Sequence, residues 1–268
     1  MGRLRKEVGL AIDSLMASPY ADAYGRISLI MKDNLLFLDT ETTGIDLLID
    51  RVVQVAYKYH GEIHSSYFRP PVPICVKSMS ISHITNKMVE DKEEFAVSQM
   101  KQDLTEILKT AILVAHNAGF DVDMLYNEGL ATTQYIDTLK VVRYLDEDNQ
   151  IPEYGLQYLR YFLEMDIEAT AHDAVGDILV LEKLFEYLLN KIMDGGKDEE
   201  SAIKEMIDIS GRPLLLRLFN YGKHKGKPVE EVLSYDRSYL EWMLEQKLNH
   251  EHYDEDWIYT LKYHLKVN

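Results

Sequence analysis

The sequence predicts an α/β fold, one mixed sheet covered by helices on both faces. Three observations predict it. Strand-like runs at residues 35–39, 51–59 and 62–70 come first, and helical spacings then alternate with a further apolar strand at 111–116. Glycines 195 and 196 sit among charges and separate off a tail with its own hydrophobic pattern.

Each element has its own justification. Residues 4–16 place Leu4, Val8, Ala11, Ile12 and Leu15 at steps of three and four, an amphipathic helix that packs on the main domain or meets a partner. Residues 35–38 are wholly apolar, as in a strand buried on both faces near the middle of a sheet. The runs 51–59 and 62–70 are joined by His60 and Gly61 in the manner of a hairpin. Pro70, Pro71 and Pro73 end that pairing and force an extended loop. Helices are expected around 93–109, 118–128, 154–163 and 172–192. Residues 194–212 read as a linker with a short helix over 201–208. The expected division is an N-terminal helical extension (1–33), a principal domain (34–193), the linker (194–212) and a small C-terminal α+β module (213–268).

Composition excludes some functions. The chain has 268 residues and a formal charge of −16, which argues against a protein that merely coats nucleic acid. Residues 1–190 hold 17 basic and 30 acidic side chains, whereas 191–268 hold 12 and 15. A general grip on a polyanion is therefore more plausible in the C-terminal part. One cysteine, Cys75, forbids an internal disulfide, and a cytoplasmic location is expected.

The chemistry-bearing residues begin with Asp39 and Glu41 at the end of the first apolar run. Strand alternation puts both on one side and Thr40 on the other, a hard-oxygen cradle suited to Mg²⁺ or Mn²⁺. A turn is the plain alternative for this Asp-Thr-Glu-Thr-Thr-Gly stretch. The second candidate, Asp121, follows the strand 111–116 and lies early in a helix, where dipole complementarity alone also favours an acid. The third group, His172 and Asp177, opens the helix whose core stripe is Ile178, Leu181, Leu184, Phe185 and Leu188. His172 can converge with Asp177 only from the loop entering that helix, where a mobile imidazole suits a general base.

Three ordered motifs, FLDTETTG, HNAGFD and HDAVGD, resemble those of the DEDD family of 3'-to-5' exonucleases, and the HxxxxD spacing resembles its histidine branch. The resemblance covers about residues 34–190. It implies a ribonuclease H-like five-stranded mixed sheet and a catalytic set of Asp39, Glu41, Asp121, His172 and Asp177. It further implies that the four carboxylates hold two divalent ions while His172 takes a proton from the attacking water. Thr42, Thr43 and Gly44 match the family's loop for the terminal nucleotide. His83 lies one place later than the family's usual histidine position, and Asn117 either bonds substrate or ties its own loop. Tyr57, Tyr59 and Tyr67 stack bases or pack the sheet.

Residues 218–246 resemble the C-terminal module of exodeoxyribonuclease X-like enzymes, with Arg237 where that pattern often has proline. Lys223, Lys225 and Lys227, with His224, form the most basic cluster of the chain and suit a phosphate backbone or a solvated loop. Tyr239, Leu240, Trp242 and Met243 are expected in the module's core.

The expected activity is therefore a two-metal 3'-to-5' exonuclease releasing nucleoside 5'-monophosphates from nucleic acid with a free 3' end, DNA favoured over RNA. The alternatives are an RNA-trimming enzyme, a proofreading exonuclease working with a polymerase or another replication or repair protein, and a non-catalytic nucleic-acid or polymerase-binding subunit.

Overall fold

The structure, a computed structural model, describes residues 33–167, 174–249 and 254–267. The expected helix at 4–16 and the residue His172 lie outside them. Among the described residues the chain runs β1 (Leu35–Thr42), β2 (Val52–Tyr59), β3 (Glu62–Tyr67), α1 (Val76–Ser82), α2 (Asn86–Val89), α3 (Gln99–Ile107), β4 (Ile112–Ala115), α4 (Ala118–Asn127), β5 (Tyr135–Asp137), α5 (Thr138–Leu145), α6 (Leu156–Phe162), α7 (Ala174–Met193), α8 (Glu199–Ser210), α9 (Val229–Tyr235), α10 (Arg237–Asn249) and α11 (Glu255–Leu265).

The five strands form one mixed sheet in the order β3-β2-β1-β4-β5. β1 is central, antiparallel to β2 and parallel to β4, which is why its apolar residues face protein on both sides. His60 and Gly61 both take positive φ, 49° and 83°, as a two-residue hairpin turn between twisted strands requires. Alternation divides β1 between two cores. Leu35 and Phe37 pack with Ile178, Leu181 and Phe185 of α7, whereas Leu36 and Leu38 pack with Leu104 of α3 and Met124 and Leu125 of α4. Phe37 meets Phe185 edge to face at 5.5 Å, and removing that ring from a closed core would cost about 3–5 kcal/mol.

Several elements differ from the sequence expectation, among them α1, α2 and α5, which fall where no helix was expected. β5, only three residues long, offers too short an alternation to register locally, and it forms because it pairs with β4. The segment read as a linker carries α8, longer than the expected helix. Asp198 caps it by accepting from Ser201 N, and Ala202, Ile203, Met206 and Ile209 are buried in the α7 core. The glycine break thus turns the chain back onto the domain.

The C-terminal module has its own core of Leu216, Phe219, Val229, Val232, Leu240, Met243, Trp257 and Leu261. Its β content among the described residues is a single antiparallel bridge, Leu218 to Pro228. Trp242, expected inside, is 53% exposed; Trp257, on the later helix, fills the centre against Phe219. The module joins the domain through Lys140, 3.6 Å from Asp256, and through Arg217, which donates to the carbonyls of Asp146 and Glu147. No helix among the described residues is long and apolar enough to cross a membrane.

Candidate active site

The site lies where β1 ends. Asp39 and Glu41 share the face of Leu35 and Phe37 and so look toward α7, whose first turn carries Asp177. Asp121, from α4, belongs to the opposite face. Its Oδ1 accepts from the backbone N–H of Thr40 at 3.1 Å and from the Thr40 hydroxyl at 2.7 Å. Thr40, pointing away from Asp39 as alternation demands, therefore draws the second-motif acid to the strand end. A register shift between Glu41 and Thr42 breaks the pairing with β2 there, as a bulge does when it re-aims a side chain.

Electrostatics bind the four acids into one unit. Burial, then the charges of Asp121, Glu41 and Asp177, hold the Asp39 carboxyl well above the usual range. Glu41 is pushed up to about 7, by burial and then by Asp177. Asp121 is raised by burial against the opposing pull of its Thr40 hydrogen bonds. The shifts record burial first, with the neighbouring acids adding to it at Asp39 and Glu41. Even so, among the described residues no three His, Cys, Asp or Glu side chains converge into a ready-made ion cage.

Gln157, which the sequence reading missed, acts on this unit. From α6 its Nε2 donates to Asp177 Oδ1. A neutral donor is thus among the groups that orient Asp177.

The loop after β1 is ordered from behind. Thr43 is fully buried; its hydroxyl donates to Asp50 Oδ1 at 2.6 Å and its N–H to the Arg51 carbonyl at 2.9 Å. The Asp50 carboxylate packs so tightly on Gly44 that a Cβ there would meet Asp50 Oδ2 at 2.2 Å. Glycine is required at 44 for that packing. The Thr42 hydroxyl donates to the Gly44 carbonyl. Asp50 had no local signal beyond turn chemistry.

Asn117 has φ 68° and caps α4 without a side-chain bond, while its N–H donates to Asp137 Oδ1 at 3.0 Å. Asp137, buried and also capping α5, is the residue that ties this loop. Beside it His116 donates from Nε2 to the Tyr154 carbonyl at 2.7 Å, and its Nδ1 lies 3.0 Å from the Thr138 hydroxyl. Burial pushes its pKa down to about 4, so it is neutral. His83 caps α1 in the left-handed conformation and is exposed. Of the tyrosines, Tyr57 is in the core, Tyr59 donates to Asn34 Oδ1 at 2.9 Å, and Tyr67 is 38% exposed.

The lysine cluster is divided. Lys223 pairs with Asp236 at 2.7 Å and lies over the Tyr239 ring, and Lys227 donates to the Tyr235 hydroxyl at 3.1 Å. Lys225 lies 3.9 Å from Glu153, both largely exposed. His224, Nε2 2.9 Å from Asp236 Oδ2, is a buried strut of the module.

Comparison with known proteins agrees with this architecture. Residues 36–185 match the family described as Exonuclease, and residues 219–247 match the Exodeoxyribonuclease X-like C-terminal family. Exodeoxyribonuclease 10 of Escherichia coli K12 is 28% identical over 87% of this chain and 99% of its own length. DNA polymerase III PolC-type of Caldanaerobacter subterraneus is 27% identical over 66% of this chain, which spans 13% of that protein. A solved structure of exonuclease X in complex with 5' overhanging duplex DNA superposes with a TM-score of 0.51 and 27% identity, covering 66% of this chain and 99% of that one.

Proposed function

The chain belongs to the exonuclease family, and from that premise we propose that it is a metal-dependent 3'-to-5' exonuclease acting on DNA and releasing nucleoside 5'-monophosphates. The observation that supports this most is the set of buried acids at the end of β1, where burial and then neighbouring carboxylates raise Asp39 and Glu41, a place suited to a cation. The donor set, all carboxylate oxygen, suits Mg²⁺ or Mn²⁺ and not a soft metal.

In this reading Asp39, Glu41, Asp121 and Asp177 hold two divalent ions, the pair implied by the family. When bound, such ions neutralise phosphate charge and make hydroxide available near neutral pH. The chain's own residues do the rest. Thr40 fixes Asp121 through two hydrogen bonds, and Gln157 fixes Asp177. His172 is assigned the proton of the attacking water. The terminal nucleotide rests against the loop Thr42–Thr43–Gly44, through backbone and not through the Thr43 hydroxyl, which Asp50 occupies. Asn117 and His83 are assigned to the strand's approach, and of the three lysines Lys225 is the one available to substrate.

DNA is favoured over RNA because the relative spanning most of the chain is an exodeoxyribonuclease. The PolC-type relatives support a replication or repair setting with a polymerase as possible partner. The test is hydrolysis of matched DNA and RNA strands labelled at the 3' end, with Mg²⁺ and with EDTA. Metal-dependent release of labelled mononucleotide from DNA is expected; binding of either strand without release would overturn the reading.

A further inference from the structure

A cleft of about 1320 Å³ lies outside the four acids. It lies beside them, between the exonuclease domain and the C-terminal module. One wall is the loop from Asn149 to Gly155, which leads into α6 and its Gln157, hydrogen-bonded to Asp177; Asn117, at the start of the helix bearing Asp121, lines the same cleft.

Its charge is opposite to that of the molecule. In a chain of net charge −16 the cleft is lined by four permanent cations, Arg143, Arg212, Arg217 and Lys225, against one acid, Glu153. These cations are weakly neutralised. Arg143 lies over the Tyr154 ring at 5.5 Å and has no carboxylate partner among the described residues. Arg212 lies over the Tyr144 ring at 5.5 Å and reaches only the exposed Asp208, at 3.5 Å. Arg217 is held by two carbonyls, and Lys225 meets Glu153 at 3.9 Å in solvent, a contact of little energy. The same cleft is lined by Tyr144, whose ring Arg212 overlies, by the partly exposed Tyr259 and by the leucines of 214–218. Cations and tyrosines lining one cleft suit a single-stranded polynucleotide: phosphate contacts along the backbone and rings for unpaired bases.

We propose that this cleft holds the single strand behind its 3' end, with the phosphates on Arg143, Arg212 and Lys225 and the bases against the tyrosines. This rests on the nuclease reading and adds to it the strand's path. The module contributes half of the track, and Arg217 joins the halves by clasping the carbonyls of Asp146 and Glu147.

The test is fluorescence anisotropy of the full chain with a 5'-labelled oligothymidylate of about twelve nucleotides, in EDTA, titrated across salt. For Arg143→Gln with Arg212→Gln, the Kd should rise about tenfold and the salt slope should fall by about 1.4, roughly 0.7 per phosphate contact. Lys225→Gln, at an exposed position, should lower it by about 0.7 without altering the melting temperature. The paired Arg→Lys variant should restore the slope. Slopes and affinities within twofold of the parent chain, or no restoration by lysine, would overturn the proposal. Metal-dependent hydrolysis by the parent chain is scored separately: if it fails while the slopes fall as stated, the track stands and the nuclease reading falls.

Discussion

The end of β1 and the cleft beneath the module solve opposite electrostatic problems by opposite means. At the strand end burial, with neighbouring acids beside Asp39 and Glu41, holds the pKa values of Asp39, Glu41 and Asp121 up. In the module Lys223 is neutralised internally on Asp236, whose carboxyl is pulled down to about 2 by the hydrogen bonds from Lys223 and then His224. Lys225 and the arginines of the cleft keep most of their charge for something else. In the proposed reading a site for a cation therefore stores repulsion, whereas a site for an anion stores loosely paired charge on solvated side chains.

The comparison can be broken at several points. The largest effect is expected from Asp39→Asn, which removes the acid that interacts with the other three: hydrolysis should drop by about 10³-fold or more, while the metal-free protein should become more stable because repulsion is relieved. Steady-state rates and thermal melts in EDTA check both halves, and a less stable variant would contradict stored repulsion. Next, His172→Ala should retain Mg²⁺-induced stabilisation but lose about 10²-fold or more in turnover. A wild-type rate at neutral pH would remove His172 from the mechanism.

Gln157→Leu should lower turnover by about tenfold and weaken the apparent Mg²⁺ affinity, because Asp177 loses the donor that orients it. Unchanged Mg²⁺ titrations would show that Asp177 is held by other contacts.

A subtler test uses pH. Glu41 has a folded pKa of about 7 against an ordinary 4.5, so the folded state keeps its proton longer than the unfolded state does. The metal-free chain should lose stability as pH rises through that interval, a sign shared by Asp39 and Asp121. His116, pushed down to about 4 from 6.5, acts the other way between those values, gaining stability with pH. The Mg²⁺-dependent part of Tm separates the two, since His116 is bonded to Tyr154 and Thr138 away from the acids. That increment should be small at about pH 5 and grow to a plateau above about pH 7. A constant increment would show that the acids are not crowded. The smallest effect is expected from Lys223→Ala, which should lower the module's stability by about 1 kcal/mol or less and leave the salt slope of strand binding nearly unchanged, unlike Lys225→Gln.

Much of the fold was legible before any coordinates. β1 announced itself as four consecutive apolar residues, and α7 by its stripe from Ile178 to Leu188, because burial imposes a period that neighbouring residues record. The order of acids Asp39, Glu41, Asp121 and Asp177 was visible for the same reason, each lying next to such an element. Trp242 shows the limit: the pattern of residues 218–246 placed it in the module's core, but Trp257 occupies that volume.

By itself, then, the sequence determined the principal strands and helices, the acids that end or open them, and the exonuclease likeness. The tertiary structure alone decided where β5, the fifth expected strand, lies, that the supposed linker is a core helix, that Asp50 backs Gly44, that Asp137 ties Asn117, and that Gln157 reaches Asp177. It also gathered cations from positions 143, 212, 217 and 225 around one cleft. The physical reason is range. Secondary structure follows from side-chain periods within a few residues, whereas pair contacts between distant residues are set by how packed layers meet and leave no periodic trace along the chain.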